Sequence, residues 1–133
     1  MSDSVYFDLH TSGIGYLNRV RKVTPKRGEP FWAVDVSALH GSADAVQYTR
    51  FDCRVSGRKA QEIIQMLARS IKDKRKVLVG FKIGDIYPDL FTYQSGDKEG
   101  QTGVSLKGRL LAIAWAKVDG EFVDLPGDSE KAA

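Results

Sequence analysis

The sequence predicts a mainly β domain: a five-stranded Greek-key barrel with one helix between its third and fourth strands. Three observations carry this expectation. Apolar and polar residues alternate with period two over several runs, turn clusters rich in Gly and Pro separate those runs, and a single segment has helical spacing. A chain of 133 residues supplies one core of ordinary size, which argues against two full domains. Its 42% hydrophobic and 28% charged residues exclude a disordered or collagen-like chain.

The first run, Gly15 to Val23, is rich in strand formers and stops at the turn cluster Thr24 to Pro30. From Phe31 to Leu39, Trp32, Val34, Val36 and Ala38 share one phase, with Phe31, Ala33, Asp35 and Ser37 on the other. These two strands make a hairpin around a basic loop. Beyond the loop His40 to Asp44, Tyr48 to Val55 alternates again, with Phe51, Cys53 and Val55 opposed to Tyr48, Arg50, Asp52 and Arg54. Ser56 is the expected N-cap of a helix whose Ala60, Ile63, Ile64, Leu67 and Ile71 form one apolar stripe, ending in Lys72 to Arg75.

Val77, Val79, Phe81 and Ile83 define a fourth strand, and the interleaved Gly80 and Gly84 mark a bend or bulge. The chain continues extended from Ile86 to Tyr93 with a break at Pro88, turns over Gln94 to Gly103, and ends its last strand at Val118. Three strands, a helix and two strands match the OB-fold, in which the helix plugs one end of the barrel. An SH3-like barrel and an α+β sandwich of another strand order are the alternatives. The organisation reads as an N-terminal extension (1–12), the barrel domain (13–123) and an acidic C-terminal tail (124–133), loose from Gly127 to Ala133.

The net charge of +3 hides a segregation. Residues 13–118 carry 19 Lys and Arg against 10 Asp and Glu, while both ends are acidic. A basic body attracts polyanions and speeds their encounter. Met1 to Ser4 lacks the charge and apolar run of a secretion signal, and no run is long enough to span a membrane, so a cytoplasmic setting is expected. A lone cysteine, Cys53, and two histidines, His10 and His40, offer no disulfide and no metal-binding spacing.

No spacing supplies a nucleophile with its base, a carboxylate pair or a glycine-rich phosphate loop, so neither catalysis nor a cofactor is expected. Binding a single nucleic-acid strand needs cations along the backbone and exposed rings on which bases stack. Both occur on the same elements. The outward phase of strand three offers Tyr48, Arg50 and Arg54, and that of strand two offers Phe31. Lys22, Lys26 and Arg27 stand in and beside the first loop; Lys82, Tyr87, Phe91 and Tyr93 lie along the fourth strand; Lys107 and Arg109 follow the long turn. Trp32 is read as core, and Trp115 as core, interface or stacking residue.

The hairpin Arg19 to Pro30, the strand Ala33 to Ser37, the strand running into Val55-Ser56-Gly57 and the strand Lys76 to Gly80 resemble bacterial single-stranded DNA-binding proteins. The stretches Tyr6 to Thr11, Gly13 to Arg19, Tyr48 to Gly57 and Val77 to Asp85 are more specific. They resemble a family carried by bacterial integrating conjugative elements, catalogued as a domain of unknown function and also described as an element replication protein. That resemblance covers almost the whole chain and implies a role in replication or transfer of mobile DNA. Strand three bears Tyr48 and Arg50 where the single-strand binders carry stacking tryptophans, and the chain ends Asp128 to Ala133 without their apolar tip. The expectation is therefore a non-enzymatic, homo-oligomeric binder of single-stranded DNA, without tail-mediated recruitment of other proteins. The alternatives are an adaptor module for replication or conjugation proteins and an RNA chaperone.

Overall fold

The computed structural model describes residues 7–126. Six strands and one helix follow in the order β1 (His10–Val23), β2 (Phe31–His40), β3 (Gln47–Val55), α1 (Arg58–Lys72), β4 (Val77–Thr92), β5 (Thr102–Val118) and β6 (Glu121–Val123). The sheet runs β3-β2-β1-β4-β5-β6, and a further pairing of β3 with β5 closes five of the strands into a ring. Every neighbouring pair is antiparallel except that closing seam, where Phe51 to Val55 lie parallel to Leu106 to Leu110. The domain is thus mainly β with one helix, as expected.

The ring holds together because the inward phases meet. Leu17, Val34, Val36, Cys53, Val77, Val79, Ile83 and Leu110 are all at most 2% exposed and form one core. Helix α1 packs against β1, β3, β4 and β5, burying Ala60, Ile63, Ile64, Leu67, Ala68 and Ile71. Each full-sized side chain in that stripe stabilises the fold by about 1.5–3 kcal/mol relative to exposure.

Several local expectations change. Ser56 does not cap the helix: its N–H donates to the Leu110 carbonyl, so it still belongs to the seam, and Gly57 takes the cap position at φ 93°. Only a residue without Cβ turns there from strand to helix without strain. Pro88 does not break β4. Beyond Gly84 that strand pairs with β5 alone, so the prolyl nitrogen can sit on a free edge, and the irregularity falls between Gly84 and Tyr87 instead. Strand β1 opens at His10, inside the segment read as an extension, and β6 is an unanticipated strand on the edge of β5. Leu125, in the segment read as tail, is buried in the core, while Gly127 to Ala133 lie outside the described residues. Among the described residues, no helix is long and apolar enough to cross a membrane.

The exit of α1 is clasped to the β5–β6 turn. Arg75 Nε donates to Asp119 Oδ2 at 2.8 Å and the Lys76 N–H donates to Asp119 Oδ1 at 3.0 Å, which together hold the Asp119 carboxyl below the usual carboxylate range.

Candidate nucleic-acid interface

Strands β1, β2, β3 and β5 place their outward side chains in register. One row runs Asn18, Asp35, Asp52, Lys107 and, on β4, Tyr87; the next runs Arg21, Ala33, Arg54 and Arg109. Between them lies a cleft of about 400 Å³. Phe31, Arg54, Tyr87, Lys107 and Arg109, all expected from the sequence, line it together, and the Arg54 guanidinium sits over the Phe31 ring at 4.2 Å. A guanidinium on a ring face is attracted by the ring quadrupole.

The face continues along the β4–β5 hairpin. Tyr87 opposes Lys107, Asp89 opposes Ser105 and Phe91 opposes Gly103, so side chains at 87, 89 and 91 share one surface. Phe91 and Tyr93 meet edge to face at 5.0 Å, and Lys98 stands 5.6 Å over Tyr93. Gly103 lies beneath them: a Cβ there would come within 2.8 Å of Tyr93 Cε2 and 2.5 Å of Phe91 Cζ. Lys26 and Arg27 are exposed in the loop joining Val23 to Phe31, two residues that line the cleft.

Three expected residues stand elsewhere. Lys22 lies between Arg21 and Val23, which line the cleft, so alternation turns it to the other face, 5.8 Å over the Trp32 ring. Lys82 lies in a separate depression with Ser12, Ala112 and Trp115 on the outer face of β1, β4 and β5. Tyr48 is exposed, but it lines a different hollow, with Tyr16, Ser37 and Lys74 to Val77. Arg50 points outward on the cleft side, 4.0 Å from Asp35.

What sequence reasoning missed is an ion lattice forming the floor. Asp35 is only 2% exposed, although it lies on the outward phase of β2. Arg19 donates to it through Nε at 2.9 Å and Nη2 at 3.1 Å, and Arg21 Nη1 approaches at 3.4 Å. Arg21 Nη2 also donates to Asp52 at 2.6 Å, and Lys107 Nζ lies 3.6 Å from both Asp52 and Asp89. A bulge makes this possible. The β1–β2 register shifts between Asn18 and Arg21, and Arg19 adopts φ 50°, so Arg19 and Arg21 both reach the same carboxylate. The signal was present in the apolar spacing, since Leu17 and Val20 are both buried yet three residues apart, which a regular strand forbids.

The lattice shifts the titration of its members. The hydrogen bond to Asp35 raises the Arg19 guanidinium further. Burial works to raise Asp52, but the bond from Arg21 and the charges of Arg21, Lys107 and Arg19 hold it below the usual carboxylate range. Beneath, burial and then the charges of Asp52 and Asp35 push the Cys53 thiol up to about 12, so it packs as a small apolar group and not as a nucleophile. Among the described residues, no group of three or more His, Cys, Asp and Glu is placed to hold a metal ion.

The fold and face define a mainly β domain carrying one basic, ring-lined cleft on a closed ring of strands. The chain belongs to the family DUF3577, described as a protein of unknown function, whose model matches residues 1–131. No curated protein and no solved structure matches it.

Proposed function

We propose that this chain is an OB-fold protein without catalytic activity that binds single-stranded DNA along the cleft and the adjoining hairpin. The OB reading is supported by the ring order β1-β2-β3-β5-β4, the parallel β3–β5 seam and the helix between β3 and β4. The observation that carries the binding reading is the convergence of Phe31 and Tyr87 with Arg54, Lys107 and Arg109 from four strands. Rings of this kind contribute about 1–3 kcal/mol per stacked base, and the cations follow the phosphates. The resemblance of Tyr6 to Thr11, Gly13 to Arg19, Tyr48 to Gly57 and Val77 to Asp85 to proteins of integrating conjugative elements supports reading this activity as part of the replication or transfer of mobile DNA, in the cytoplasm.

Titration with oligo-dT, followed by intrinsic fluorescence, gives saturable binding that weakens as salt rises; no binding at low salt refutes the reading. Arg50→Ala with Arg54→Ala weakens binding of all sequences and flattens the salt slope. A matching RNA that outcompetes oligo-dT would favour an RNA chaperone.

The outer face favours a second copy of this chain as a partner. Trp115 packs edge to face on Phe122 at 6.1 Å, Phe122 is 70% exposed, and Ile14 is 46% exposed in the same region. Light scattering on the purified protein reads the oligomer, and a monomer at all concentrations refutes this part.

A further inference from the structure

We propose that the point where the Asp52 carboxylate meets Arg21 and Lys107 is a subsite for a backbone phosphate, occupied in the free protein by that carboxylate. This inference rests on the single-strand reading and deepens it. The two carboxylates of the floor are not equivalent. Asp35 is almost wholly buried, with a side chain 3% exposed, and it fixes the arginine layer through its two-pronged bond with Arg19 and its contact with Arg21. Arg21 Nη1 is further anchored by donating to the Arg19 carbonyl at 2.9 Å. With Asp35 and that carbonyl in place, Arg21 keeps its position without Asp52.

Asp52 is the carboxylate that faces the ligand. Its side chain is 18% exposed, it lines the cleft, and it takes up Arg21 Nη2 and one side of Lys107, with Arg19 Nη2, committed to Asp35, farther off at 3.7 Å. Lys107 is shared with Asp89, a half-exposed residue on the hairpin. A phosphate presents the same oxygen geometry to a guanidinium as a carboxylate does, and it draws an ammonium equally well. The subsite therefore contains two cations whose free-state partner is an acid that a phosphate can displace, beside the Phe31 ring on which the neighbouring base stacks. The carboxylate also opposes the incoming charge, so it weakens binding while keeping the unliganded face from holding adventitious anions.

Asp52→Asn and Asp89→Asn, compared with wild type in oligo-dT titrations over a range of salt, test this. Asp52→Asn is expected to bind about five- to tenfold more tightly at low salt, from the removal of one like charge within a few ångströms of the phosphate. Its log–log salt slope is expected to steepen by about 0.7–1, because Arg21 and Lys107, freed of the carboxylate, neutralise one phosphate more fully and so release about one more of the strand's condensed counterions. Asp89→Asn frees Lys107 alone and changes both quantities in the same direction by less. A folded Asp52→Asn that binds equally or more weakly overturns the inference while leaving single-strand binding intact. If circular dichroism shows that Asp52→Asn does not fold, Asp89→Asn decides: tighter binding supports the subsite, and unchanged or weaker binding overturns it. If neither wild type nor variants bind oligo-dT at low salt, the underlying reading falls and the subsite with it.

Discussion

Replacing Phe31 with alanine tests the binding face at its most specific point. One face of the ring is already taken by the Arg54 guanidinium at 4.2 Å, so the ring can stack one base and not two. The expected loss is that of a single stack, about 1–3 kcal/mol, which is about 5- to 150-fold in Kd. Stability changes less. Phe31 is half-buried at the start of β2, and losing a partly exposed ring–cation contact costs about 0.5–1 kcal/mol, a fall of about 2–5 °C in Tm for a chain of this size. The variant therefore stays folded at room temperature, and affinity is measured on native protein. Phe31→Leu retains apolar bulk without a π face and should lose nearly as much affinity as Phe31→Ala. The assay is anisotropy of a labelled oligo-dT at three salt concentrations. Stacking carries no counterions, so the salt slope of either variant should match wild type, in contrast to Arg54→Ala. If folded Phe31→Ala binds within twofold of wild type, no base stacks on Phe31 and the reasoning fails.

Two further outcomes follow from other parts of the molecule. Gly80→Ala places a methyl group inside contact distance of the Trp115 indole, 2.9 Å from Cε2, and must drive the ring off the sheet. A destabilisation of about 1–3 kcal/mol and a red shift of Trp115 emission in a Trp32→Phe background are expected; an unchanged spectrum would show that the indole does not lie on Gly80. The second concerns pH. Asp52 is held below its unfolded value of 3.8, so its contribution is fully present above that value and is lost as pH falls through the lower folded pKa. Urea melts of wild type and Asp52→Asn should differ by about 0.5–1 kcal/mol at pH 7 and converge towards pH 3, whereas a gap that widens on acidification would contradict the sign.

Periodicity alone revealed most of the architecture. Alternation in Phe31–Leu39 and Tyr48–Val55 gave two strands and their faces, and the stripe Ala60 to Ile71 gave the helix, because each pattern depends on near neighbours in the chain. Strand β6 escaped because three residues carry no period; Glu121 to Val123 are ordered only by the partner they find on β5. At the cleft, the phase of Phe31 and Arg54 and the exposure of Tyr87 were legible, and so was the positive charge of Arg54, Lys107 and Arg109. Asp35 was not. Alternation correctly puts it on the outward phase, but outward is not exposed where Arg19, Arg21 and Arg50 lie over it from two neighbouring strands. Cross-strand register decides that, and register is a property of pairs far apart in sequence. Lys22 stands outside the cleft for a simpler reason, since one residue of phase separates the cleft from the Trp32 side.

The β3–β5 seam has a consequence for when this surface comes into being. It joins Phe51–Val55 to Leu106–Leu110, segments separated by a helix and the whole of β4, and loop-closure entropy makes such distant pairing slow to reward. Asp52 opposite Lys107 and Arg54 opposite Arg109 sit on that seam, the second a like-charged pair eased by Asp85 at 3.6 Å from Arg109. A chain caught with its hairpins formed but the ring still open would own every one of these side chains and display no groove. If the proposed single-strand reading holds, competence to bind and completion of folding are one event, and an immature chain has little means of occupying a polyanion before its core is sealed.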